Sequence, residues 1–315
     1  MKLLLKISLL VLTLFSFSKI EYKKQLHTTK INADTLKIKE HLIAITKTDK
    51  SRNYKNIKTL NNVASYIYNE FYQYADTTYY QKYDVKGQEY KNVIAVFGSK
   101  NKKTIVIGAH YDVCGEQEGA DDNASGVTGL LELARMLKNK TLKYRIELVS
   151  YTLEEPPFFR TKQMGSYIHA KSMKEKNIDL YGMISLEMIG FYSDEKDSQK
   201  YPIGILSWFY GNKANYITIV NQFKKGKFAK RFTKTFKKQK YIRTKKITAP
   251  KSLQGIDFSD HLNYWNFGYS ALMVTDTSFF RNENYHENTD TMDTLDINKI
   301  ANVIDTVYET ILNIK

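Results

Sequence analysis

Between His110 and Asp122 the chain places one His, three Asp and two Glu within thirteen residues. The run reads HYDVCGEQEGADD and lies between a β-rich segment, TIVIG, and a helix-like segment, VTGLLELARML. Six such groups crowded together must repel one another, face water or hold a cation. Singly, each has an ordinary explanation. A lone His is usually packed or hydrogen-bonded, and Asp122 or Asn123 is a suitable cap for the helix that follows. Cys114, four residues after His110, is a conceivable ligand. Thiolate metal sites usually gather several cysteines, however, and this is the only one in the chain. It is read as a small loop residue, together with Glu116 and Glu118.

The elements that must position these groups make a stronger case. Apolar β-rich runs recur at 92–98, 104–110, 144–152, 182–188 and 270–275, with helix-like segments near 57–75, 124–138, 162–176, 213–224 and 297–314. This alternation predicts one α/β domain built on a mainly parallel sheet. Ligands of such sheets gather at the loops leaving the C-terminal ends of the strands. His110 and Asp112 end one run, Glu154 and Glu155 the next, Glu187 a third and Asp276 a fourth, with His286 just beyond. Two imidazoles and at least four carboxylates therefore reach one edge, a set that repels itself unless cations neutralise it.

Imidazole with carboxylate suits zinc and similar ions, and the number suffices for two metals sharing a bridging carboxylate. Such a pair acidifies water and polarises a carbonyl, while a neighbouring Glu takes the water proton and passes it to a leaving amine. Covalent catalysis is disfavoured, because the chain has no G-x-S-x-G elbow and its Cys lacks a nucleophile signature. It also has no Walker loop or dinucleotide fingerprint.

The segments GAHYDVCGEQEGADDNASGVTGLLELARML, EEPPFF, SLEMIG, DFSDHLNYWNFGYSALMVTDT and NYHENTDTMDTLD, in that order across roughly 90–312, resemble the M28 family of zinc aminopeptidases. The resemblance implies a zinc exopeptidase-like fold, a mixed and mostly parallel central sheet sandwiched by helices. It implies two zinc ions bridged by Asp121 and a water, with His110 and Glu187 completing the first site and Glu155 and His286 the second. Glu154 matches the general base, and Asp112 the acid that orients His110 through its other ring nitrogen. A cis peptide is expected at Asp121–Asp122. Position 187 departs from the pattern, since many members carry Asp there. His261 is assigned a structural or substrate-side role, and His27, His41 and His169 match nothing in the family. Peptides are the implied substrates.

Composition frames these assignments. With 42% hydrophobic residues the chain can bury a full core. Lys2 and Lys6 precede an eleven-residue apolar run, 7–17, too short for a membrane span and suited to a secretory signal cleaved after Ser18. The expectation is a signal peptide over 1–18 and a single domain over 19–315, ordered from about 26, secreted or periplasmic. Net charge is +15, and 224–246 alone holds twelve Lys or Arg. Phe228, Phe232 and Phe236 fall four apart in this tract, so it is read as a solvated helix on a buried Phe stripe. It also offers a contact to an anionic surface, but specific nucleic-acid recognition is not expected from so Lys-rich a chain.

Three other functions compete. A glutaminyl cyclase would use one zinc on Asp121, Glu155 and His286. A non-catalytic module would bind polyanions through 224–246. A carboxypeptidase would need a placed Arg or Lys for the substrate carboxylate, and none is identifiable.

Overall fold

The computed structural model describes residues 33–224 and 226–315, so the signal expected over 1–18 lies outside the described residues. The described residues cluster as one compact unit. Its centre is an eight-stranded mixed sheet in the order β1-β2-β4-β3-β5-β8-β6-β7. The strands are β1 (Thr77–Val85), β2 (Gln88–Phe97), β3 (Thr104–His110), β4 (Arg145–Tyr151), β5 (Leu180–Glu187), β6 (Ile217–Gln222), β7 (Thr244–Ala249) and β8 (Ala271–Thr275). β4, β3, β5 and β8 run parallel at its centre, while β1 and β2 form an antiparallel hairpin on one flank. β6 returns antiparallel to β8 and pairs in parallel with the edge strand β7.

Helices cover both faces because neighbouring strand residues point to opposite sides. Ile105 and Ile107 of β3 join a core with α1 (Thr35–Thr46), α2 (Ile57–Tyr72), α3 (Gly126–Leu137), α6 (Gly226–Gln239) and α8 (Ile297–Asn313). Val106, between them, joins Ala170 of α4 (Gly165–Glu175) and Trp265 of α7 (His261–Asn266) on the other face. A last short helix, α5 (Leu206–Tyr210), buries none of its residues.

The amphipathic patterns behave as read. α3 turns Val127, Leu130, Leu131, Ala134 and Leu137 inward, and α6 buries Phe228, Phe232 and Phe236 beneath its exposed lysines. The helix expected near 213–224 is instead strand β6. Its Ile217-Thr218-Ile219-Val220 run is β-branched throughout and buried on both faces, which favours a pleated chain over a helix.

Candidate active site

Three parallel strands end side by side and deliver the chemistry to one edge. His110 closes β3, Glu187 closes β5, and Glu154 and Glu155 lie just past the end of β4. His286 comes from the loop between β8 and α8, with left-handed backbone at φ 62° and its ring stacked on Tyr285 at 3.8 Å. All but His286 are nearly inaccessible to solvent.

The carboxylate between the two imidazoles is Asp122, which corrects the expectation that Asp121 would bridge. Asp122 Oδ1 lies 3.3 Å from His110 Nε2, and its Oδ2 lies 3.3 Å from His286 Nε2. Glu187 Oε2 stands 3.5 Å from His110 Nε2, and Glu155 Oε2 3.3 Å from His286 Nε2. Glu154 Oε2 is farther back, 3.9 Å from His110 Nε2. Asp121 points the other way. Its Oδ1 accepts the Gly190 amide at 2.8 Å and its Oδ2 accepts Asn282 Nδ2 at 2.9 Å, tying together the loops after β5 and β8. The cis peptide is likewise one residue later than expected, at Asp122–Asn123.

The turn that aims Asp122 is held from several sides. Asp290 accepts the amides of Asp121 and Asp122 on its two carboxylate oxygens, at 2.9 and 3.0 Å. Asn123 donates to the Leu186 carbonyl and accepts the Met188 amide, fastening the turn to the end of β5. Buried Arg52 gathers the carbonyls of Tyr111, Glu118 and Gly119. Gly119 has φ 57°, and a Cβ there would sit 2.3 Å from the Asp122 carbonyl oxygen, so only glycine fits.

Asp112 differs in detail from its expected role. Its backbone carbonyl, not its carboxylate, accepts from His110 Nδ1 at 3.1 Å, and the nearer carboxylate oxygen is 3.7 Å away. The carboxylate instead accepts the amides of Glu154 and Glu155 at 3.2 and 3.1 Å. Asp112 is thus a positioning residue for two strand ends. Glu187 Oε2 accepts from Ser259 Oγ at 2.7 Å and from Asn123 Nδ2 at 3.3 Å, which fixes the longer side chain at 187. His261 hydrogen-bonds the Ile256 carbonyl and packs edge-on against Trp265, a structural role.

Sequence reasoning overlooked Asp290, Ser259, Arg52 and the placement of Cys114. Asp290 carried a signal, since it ends the NYHENTD segment. Cys114 Sγ lies with Glu155 and His286, their ligand atoms all within 4.8 Å of one another.

The electrostatics follow from four carboxylates buried beside two imidazoles. Burial opposes charge on His110, but Glu187, Glu154, Asp112 and Asp122 hold its pKa well above normal. Burial likewise opposes ionisation of Asp122, but the two imidazoles overcome it and hold the carboxyl below its usual range. Burial pushes Glu155 up to about 7 and Glu154 well above the ordinary range, against the pull of the imidazoles.

The donor set fits metal ions. Atoms bound to a tetrahedral zinc at 2.0–2.1 Å stand roughly 3.4 Å apart, close to the 3.3 and 3.5 Å that separate His110 Nε2 from Asp122 and Glu187 and the 3.3 Å that separates His286 Nε2 from Asp122 and from Glu155. Glu155 Oε1 is buried without a hydrogen-bond partner, the state of a ligand awaiting its ion. Asp122, Glu154, Glu155 and Glu187 carry four negative charges when ionised, which two divalent cations would balance.

A pocket leads away from this cluster. Asp122, Glu154, Glu155, Glu187 and His286 line one end, and Phe159, Phe258, Phe279, Phe280, Val220 and Met273 line the remainder. Lys200 is the cation on its wall and is paired with Glu283 at 2.7 Å.

Residues 92–311 match the sequence profile of peptidase family M28. An uncharacterized protein of Escherichia coli, YfbL, is 40% identical over 279 residues, covering 86% of this chain and 85% of that one. Leucine aminopeptidase 1 of Ajellomyces dermatitidis is 25% identical over 66% of this chain, which spans about half (51%) of that protein's length. Among solved structures, the LapA aminopeptidase of Legionella pneumophila superposes with a TM-score of 0.69 at 20% identity, covering 90% of this chain and 72% of that one. A Bacteroides thetaiotaomicron glutaminyl cyclase superposes almost equally, with a TM-score of 0.68 at 20% identity and coverage of 90% and 99%. The fold is therefore common to both chemistries, and the site has to separate them.

Proposed function

We propose that this chain, which belongs to peptidase family M28 and is therefore a hydrolase of peptide bonds, is an exported two-zinc aminopeptidase. The observation that carries this reading is Asp122, whose two oxygens each face a different imidazole at 3.3 Å. His110, Asp122 and Glu187 would hold one zinc, and Asp122, Glu155 and His286 the other. Bound there, a zinc pair supplies Lewis acidity for a substrate carbonyl and for water.

The chain's own residues do the rest. Asp112 holds the backbone of Glu154 and Glu155, and the His110 ring through its carbonyl. Glu154 reaches the pocket and stands farther from His110 Nε2, at 3.9 Å, than Asp122 or Glu187 at 3.3 and 3.5 Å, and its raised pKa suits a base that takes a water proton and delivers it to the departing amine. The acidic end of the pocket suits a free α-ammonium better than a terminal carboxylate, which favours an aminopeptidase over a carboxypeptidase. The aromatic walls suit a large apolar side chain on the N-terminal residue.

The cyclase reading would leave His110 without an ion, but His110 faces Asp122 and Glu187 as closely as His286 faces its own partners. Export rests on the sequence of residues 1–18 and predicts a mature N-terminus after Ser18, readable by N-terminal sequencing of the secreted protein. The exposed cations of α6 add a contact to anionic surfaces without entering the site.

The test is metal analysis coupled to hydrolysis of amino-acid amides and short peptides. About two zinc ions per chain, with hydrolysis lost to chelator and restored by zinc, is the expected result. One zinc per chain with cyclisation of N-terminal glutamine supports the cyclase, and amidase activity surviving complete metal removal overturns the reading.

A further inference from the structure

One donor beside the second metal position has no part in the chemistry above. Cys114 Sγ, a carboxylate oxygen of Glu155 and a ring nitrogen of His286 all lie within 4.8 Å of one another. The thiol is partly buried rather than displayed on the surface. A second, independent observation points to a ligand here. Glu155 is only 5% exposed, yet its Oε1 has no hydrogen-bond partner.

The loop carrying the thiol is anchored rather than free. Asn53 Nδ2 donates to the carbonyl of the next residue, Gly115, at 2.7 Å, and Arg52 grips the Tyr111 carbonyl at 2.8 Å and the Gly119 carbonyl at 2.6 Å. Cys114 is the chain's only cysteine, so no intramolecular disulfide competes for its sulfur.

We propose that Cys114 is a fourth protein ligand of the second metal position, joining Asp122, Glu155 and His286. The inference rests on the two-zinc reading and adds to it. A tetrahedral zinc with three protein ligands keeps one place for water or substrate, whereas one with four is closed. Forming the metal–sulfur bond breaks the S–H bond, releases the proton to solvent and changes no oxidation state. The second position therefore rests closed by the chain's own thiolate, and opens when substrate displaces the sulfur or when alkylation or oxidation caps it.

The test uses the full chain loaded with cobalt(II) in place of zinc. Wild type should take up two cobalt ions and show a sulfur-to-cobalt charge-transfer band in the near ultraviolet. Cys114→Ser should lose that band while keeping the visible d–d bands. Two bound cobalt ions with d–d bands but no charge-transfer band in wild type overturns the role of Cys114 and leaves the two-metal reading standing. Failure of wild type to bind cobalt or zinc overturns the two-metal reading, and this inference with it. Should Cys114→Ser fail to fold, iodoacetamide labelling of wild type decides. Metal loading should protect Cys114, and equal labelling with and without metal overturns the proposal.

Discussion

Neighbouring aspartates in the ADD turn have opposite predicted behaviour, which makes Asp121→Asn and Asp122→Asn a sharp comparison. Asp122 presents one oxygen to each imidazole at 3.3 Å and is held ionised by them. Asn at 122 keeps at most one acceptor and turns an amide N–H towards the other metal position. Removing one partner of a buried charge cluster costs about 3–5 kcal/mol. At 1.4 kcal/mol per factor of ten, this is a loss on the order of a hundred- to several-thousand-fold in affinity for at least one ion.

Asp121 is different. Burial and contact with Asp276 hold its carboxyl well above the ordinary range, and Asn is nearly isosteric with it. The substitution disturbs one of its hydrogen bonds, to Gly190 or Asn282, at a cost of about 1 kcal/mol in stability. The assay is zinc content after gel filtration, alongside amide hydrolysis and thermal melting. Asp122→Asn should lose one or both zinc ions and nearly all turnover, while Asp121→Asn keeps both and melts slightly earlier. A zinc-depleted Asp121→Asn beside a fully loaded Asp122→Asn would refute the assignment and restore Asp121 as the bridge.

Glu154→Gln should keep both zinc ions and lose about 10²–10⁴-fold in turnover, so loss of metal in this variant would make Glu154 a ligand instead. Gly119→Ala introduces a Cβ 2.3 Å from the Asp122 carbonyl and 2.4 Å from Val113 Cγ1 at a positive φ. It should destabilise the protein by about 2–4 kcal/mol, seen as a lower Tm and weaker zinc retention. A Tm equal to wild type would show that the turn yields easily. Burial lowers the pKa of His261 from 6.5 to about 4. The unfolded chain therefore takes up this proton as pH falls through 6.5, before the folded state can. The contribution of neutral His261 is complete above about pH 6.5 and declines as pH falls towards 4. Relative to wild type, His261→Gln should lose less stability between pH 7 and pH 4.5, a comparison that cancels the titrating carboxylates. Parallel melting curves at the two pH values would contradict this.

Much of the site was legible because its residues punctuate apolar β-runs. His110, Glu154, Glu155 and Glu187 stand at strand ends, and a parallel sheet sends such ends to one edge. His286 needed the family resemblance, since nothing local in NYHENTD requires its imidazole to return to that edge. The helix expected near 213–224 failed because a short β-branched run buried on both faces lacks the alternation that distinguishes a half-buried strand from a helix.

The sequence by itself determined the mostly parallel α/β architecture, the identity of four of the five residues in the two candidate metal groups, and the hydrolytic class. These depend on apolar periodicity and on which residue types stand at strand ends. Only the tertiary structure decided between Asp121 and Asp122. Adjacent carboxylates in one turn are chemically alike, and what separates them is the backbone path. Asp290 fastens both amides, and the Gly190 amide and Asn282 draw Asp121 one way. Asp122 is left between two imidazoles that lie 176 positions apart in the chain. The placement of Cys114 beside Glu155 and His286 was hidden for the same reason, because these neighbours are remote in sequence and meet it only after folding.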